Sequence, residues 1–180
     1  MVEDVVRTLG YATLGSRLKR IGEKLQSQTQ ELASRMGATD LPASHHPVLA
    51  SLDRHGPLSI GELAKALGQS QPGVTRMANK MKTDGLVETL SDGRDKRVNQ
   101  IALTEKGRTY VDLLKQTLWP ATAFLVQGAC EELSGPLLTQ LAQLEDALAD
   151  QPLSKRLPNT PVPDWDQLVP SKNDKKRSNG

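Results

Sequence analysis

A single cysteine, Cys130, occurs in 180 residues, so no intramolecular disulfide can staple this fold. Aromatic residues make up only 3% of the chain, which leaves Leu, Val, Ile, Ala and Met to build the core. No apolar run reaches the roughly 18 residues that a membrane-spanning helix needs. Arg7 and Arg17 interrupt the amino terminus where a signal peptide would keep its apolar stretch. A cytoplasmic protein without membrane contact is the expectation. Also missing are a G-x-S-x-G elbow, a Walker loop, a Rossmann glycine fingerprint and any His/Cys cluster at metal-ligand spacing. The sequence therefore predicts no catalytic residues, no cofactor and no metal.

What is present is an uneven charge. Residues 69–108 hold eight basic and five acidic side chains, net +3, whereas 109–150 hold one and six, net −5. The last ten residues add four basic groups and one acidic. A cationic face on an acidic body suits a protein that touches nucleic acid on one side.

Apolar spacing organises the chain. Leu14, Leu18, Ile21, Leu25 and Leu32, with Gln28 filling the gap in the series, recur at three- and four-residue steps and predict one long helix over 4–35. A short helix follows over 44–55, with Pro47 in its first turn. Ser59 heads a helix carrying Ile60, Leu63, Ala64 and Leu67 inward, and Gly68 ends it. Ser70 caps a second helix over 70–84, with Pro72 in its first turn and Val74, Ala78 and Met81 as its buried stripe. Residues 86–90 and 98–103 read as two strands around a polar turn at 91–97. Thr104 caps a further helix that Pro120 should kink or split, and Ser134 opens a last one. From Gln151 the periodicity stops. Five prolines make 151–170 linker-like, and 171–180 is a basic tail expected to be disordered. The fold class is thus mainly α with a small β-hairpin: a winged helix-turn-helix core over 44–103, between terminal helices at 4–35 and 104–149.

Two helices joined by a tight turn, the second presenting a polar face, can place that face in a DNA major groove. Ser70, Gln71, Gly73, Thr75, Arg76, Asn79, Lys80 and Lys82 are the candidates here. Arg76 can bridge a guanine edge, Gln71 and Asn79 can pair with adenine, and the Thr75 methyl can meet a thymine methyl. Lys80 and Lys82 lie further along, toward phosphates. In the hairpin, Arg94 at a Gly93 tip can enter the minor groove, with Asp92, Asp95 and Arg97 setting the orientation of the tip. The alternative for Arg97 is a purely structural pairing with Asp92 or Asp95. For the helix face the alternative is an ordinary solvated surface.

These residues carry a family likeness. The stretch HGPLSIGELAKALGQSQPGVTRMANKMKTDGLV, then DGRDKR, then IALTEKG resembles the MarR (multiple antibiotic resistance regulator) family of winged helix-turn-helix repressors. The resemblance implies a homodimer on a pseudo-palindromic operator, its terminal helices forming the dimer interface. It also implies a small-molecule effector pocket between those helices and the DNA-binding lobe, for which Tyr11, His45, His46 and Trp119 are the candidates.

Neighbouring histidines do not share a helix face, so His45 and His46 are expected at a cap or on the surface rather than on a metal. Cys130 lies away from the amino-terminal region in which the family's redox sensors carry theirs, and an inert thiol is expected. The reading from another class is a winged-helix protein-interaction module without specific DNA binding.

Overall fold

The computed structural model describes residues 2–36, 41–91, 99–131 and 133–156. The chain divides after Ala129 into two compact units. The first begins with a short helix α1 (Val5–Thr8), a 3-10 turn (Gly10–Thr13) and the long helix α2 (Leu14–Arg35). The single helix expected over 4–35 is therefore broken near its start. Gly10 is a poor helix former, and the Thr13 hydroxyl bonds back to the Val6 carbonyl at 2.8 Å, which holds the turn.

A 3-10 turn (Ala43–His45) leads into α3 (His46–His55), with Pro47 in the first turn as expected. Then come β1 (Leu58–Ser59), α4 (Ile60–Leu67), α5 (Gln71–Thr83), β2 (Val87–Ser91), β3 (Asn99–Leu103), α6 (Glu105–Gln116) and α7 (Leu118–Cys130). The sheet is antiparallel in the order β1-β3-β2, with Leu58 opposite Ile101 and Thr89 opposite Ile101 from the other side. β1 has only two residues, too few to show alternation, and periodicity did not reveal it.

The core of this unit fills the space between α3, α4, α5, the sheet and α6. Leu49, Leu63, Met81, Val48, Val74, Val111 and Leu114 are completely or almost completely buried. It is aliphatic, as the scarcity of aromatics required. The split in the carboxy-terminal half falls at Thr117, whose φ −127°, ψ −80° lies outside the helical region. Pro120 thereby becomes the third residue of α7, where its missing amide hydrogen and its ring conflict with no preceding turn. Leu125 of α7 is 55% exposed.

In the second unit, α8 (Leu137–Asp150) starts at Pro136 and not at Ser134, with no side-chain cap. Leu137, Leu141 and Leu144 are half-buried, while Leu148 is exposed. Among the described residues no helix is long and apolar enough to cross a membrane.

Candidate nucleic-acid interface

The site is built from α4, the turn after it and α5. Ser59 and Glu62 form a capping box. The Glu62 amide donates to Ser59 Oγ at 3.2 Å, and the Ser59 amide donates to Glu62 Oε2 at 2.8 Å. That bond, first from the Ser59 backbone and then from its hydroxyl, holds the exposed Glu62 carboxyl below its ordinary range. At the other end Gly68 takes φ +60°, and the Gln69 amide reaches back to the Ala64 carbonyl at 3.0 Å. A left-handed residue there turns the chain sharply enough for α5 to start within three residues.

Ser70 caps α5 through the Gly73 amide, with Pro72 in the first turn. Val74, Ala78 and Met81 are buried, so the opposite side must face out. Gln71, Thr75 and Asn79 stand four residues apart in one exposed row, and Arg76 and Lys80 are exposed in the next. Ser70 is exposed, and Gly73 and Lys82 are intermediate. The Thr75 hydroxyl donates to the Gln71 carbonyl at 2.8 Å, so its hydrogen stays within the helix. The structure thus brings Ser70, Gln71, Thr75, Arg76, Asn79 and Lys80 together on one helix surface. The tip of the hairpin, with Asp92, Gly93, Arg94, Asp95 and Arg97, lies outside the described residues.

Two features were not visible in the sequence. Lys80 Nζ sits 2.7 and 3.1 Å from the two carboxylate oxygens of Asp84, and Lys106 Nζ donates to the Asp84 carbonyl at 2.7 Å. These ties join the end of α5 to α6. The partners are 4 and 22 residues apart, and only the first spacing is suggestive.

An open cleft of about 860 Å³ runs beside this junction, lined by Leu41, Lys80, Asp84, Leu86, Lys106 and Tyr110 among others. None of Tyr11, His45, His46 and Trp119 lines it. Tyr11 is 94% exposed in the amino-terminal 3-10 turn, so it encloses nothing within one chain. Of the cap or surface role expected of His45 and His46, the surface part fails, since both are buried, while His45 does stand at the N-cap position of α3, without a side-chain cap bond. His46 lies 6.4 Å from Trp119, tilted by 57°, and its buried Nε2 has no hydrogen-bond partner among the described residues.

Burial lowers the pKa of both histidines from the ordinary 6.5. For His45 the Asp84 charge opposes that fall and Lys80 adds to it, and for His46 the neighbouring His45 adds to it. The folded state holds them neutral, so their stabilising effect is complete above pH 6.5. It is lost as pH falls from there through the lowered folded values, because the unfolded chain then binds more protons. Urea unfolding across that window should show stability declining with acidity, with a flatter decline in His46→Gln. A decline of equal steepness in the variant would contradict the burial argument.

Comparison with known proteins places this lobe. Residues 39–98, from just before the 3-10 turn through β2, match the MarR family model. Over that third of its length the chain is similar to the MarR family. The HTH-type transcriptional repressor MdtR of Bacillus subtilis is 32% identical over 90 residues, 50% of this chain and 56% of MdtR. Wild-type MarR from Escherichia coli in its apo form is 25% identical, with TM-score 0.53, over 76% of this chain and 95% of that one. A mutant of the same protein complexed with operator DNA has TM-score 0.61 at 24% identity, over 82% and 98% of the two chains, a likeness of fold. The chain spans little more than half the length of the curated relatives it matches. The MarR-matching segment contains α3, α4, α5 and β2, and with them the whole polar face of α5. It leaves out α2, α6 and α7.

Proposed function

We propose that this chain is a sequence-specific DNA-binding transcriptional regulator, acting as a homodimer on a pseudo-palindromic operator. α5 lies in the major groove, and the hairpin tip at 91–97, with Arg94 leading, reaches the minor groove. One observation carries the proposal. α5 is capped, anchored by Val74, Ala78 and Met81 at 1% exposure or less, and turns Gln71, Thr75, Arg76 and Asn79 outward in adjacent rows. A groove about 12 Å wide admits such a helix. The names of the relatives favour repression.

The terminal helices, 4–35 and 104–149, are proposed as the dimer helices. Leu18, Ile21 and Leu25 of α2 are 38 to 47% exposed, and Phe124 and Leu125 of α7 more so. Apolar surface of that extent needs a cover. The cleft beside Lys80 and Lys106 is the proposed effector site, with cationic groups above a floor of Leu41, Leu86 and Tyr110.

A mobility-shift titration at two salt concentrations tests the function. Binding to duplex DNA should weaken steeply as salt rises, because lysines and arginines displace condensed counterions. Absence of binding to any duplex would favour a protein-interaction module instead.

A further inference from the structure

The Lys80 ammonium lies on the polar side of α5, yet it is already engaged by both carboxylate oxygens of Asp84. Asp84 itself is held from two other directions. Its amide donates to the Lys80 carbonyl at 3.0 Å, and its carbonyl accepts from Lys106 of α6. Its side chain is 27% exposed, against 50% for that of Lys80, so the carboxylate is the more fixed partner. A carboxylate at the carboxy-terminal end of a helix faces the negative end of the helix dipole. A solvent-washed pair one turn apart, with the lysine preceding the acid, adds little stability in return. The position of Asp84 is thus poorly accounted for by folding, and what the pair does achieve is to neutralise a cation on the proposed DNA side.

We infer that Asp84 is a specificity-determining residue for DNA binding: it withholds the Lys80 ammonium from phosphate, so that base-edge contacts from Gln71, Arg76 and Asn79 outweigh sequence-independent attraction. The inference rests on the DNA-binding function proposed above.

Each phosphate neutralised steepens the dependence of log affinity on log salt by about 0.9. Asp84→Asn frees one lysine per chain. Its slope should therefore steepen by about 0.9 per chain, an extra loss of roughly 3.5-fold for a fourfold rise in salt. Affinity for a scrambled duplex should rise more than affinity for a duplex selected from a random pool, which narrows discrimination. In a Lys80→Met background the Asp84→Asn change should leave the slope where it was.

The experiment is a fluorescence-anisotropy titration of the full chain against both duplexes over a salt series, with urea unfolding to show that each variant is folded. If Asp84→Asn does not fold, Asp84→Ser, which also removes the carboxylate, carries the test with the same expected steepening. Wild-type binding with no steepening in Asp84→Asn, or a slope that falls by about 0.9 in Lys80→Met, overturns the inference and leaves the function standing. No binding by the wild type overturns both.

Discussion

Gly107→Ala is expected to destabilise the DNA-binding lobe by about 3 kcal/mol or more, at the upper end of what overpacking costs. A methyl group built on Gly107 would stand 2.0 Å from the Leu86 carbonyl oxygen and 3.3 Å from Leu103 Cδ2. The Leu86 backbone cannot withdraw. The Leu86 carbonyl already accepts the Thr104 amide at 3.1 Å, and the Leu86 amide closes the end of α5 on the Met81 carbonyl at 2.9 Å. The Gly107 amide is itself held by the Thr104 hydroxyl at 3.0 Å, which caps α6. The added carbon must therefore push α6 away from the start of β2, opening the core around Leu103, Tyr110 and Val111. Urea unfolding of the purified variant checks this. A midpoint equal to that of the wild type would contradict the close approach of α6 to the backbone between α5 and β2.

Arg76→Ala should remove about 1–3 kcal/mol of discrimination between the selected duplex and a scrambled one, a factor of roughly 5 to 150. Arg76 is exposed in the second turn of α5, next to the row of Gln71, Thr75 and Asn79. Its guanidinium is a planar fork that matches the two acceptors of a guanine edge. Asn79 in the neighbouring row offers the pairing that suits adenine. The two substitutions should therefore relax different positions of the selected sequence, while unfolding midpoints stay near that of the wild type. Equal losses on both duplexes would make Arg76 a phosphate contact.

Much of the fold can be read from periodicity and caps. Ser59, Gly68, Ser70, Pro72 and Thr104 sit where local chemistry alone determines a boundary, and each boundary appears within a residue or so of its expected place. The errors lie where tertiary contacts decide. The helix over 4–35 is broken by a hydroxyl-to-carbonyl bond that spans seven residues. β1 exists only because β3 offers it a partner edge. His45 and His46 are both buried at the junction of the 3-10 turn and α3, and burial of two neighbours is set by what packs around them, which residue type does not announce.

The polar face of α5 was legible because it is the complement of a buried stripe on one helix. The engagement of Lys80 was not, since it depends on how Lys106 fixes Asp84 across 22 residues. The cleft beside Lys80 was not legible for the same reason, since it is shaped by residues that converge from α5 and α6.

Interference by guanine N7 methylation on the selected duplex tests the placement of α5 most directly, because the methyl group obstructs the major groove and leaves the minor groove open. Two clusters of blocked guanines, about one helical turn apart and related by the symmetry of the site, are the expected result. Full binding to the methylated duplex, with binding lost when the minor groove is filled by a competing ligand, would show that α5 does not enter the major groove.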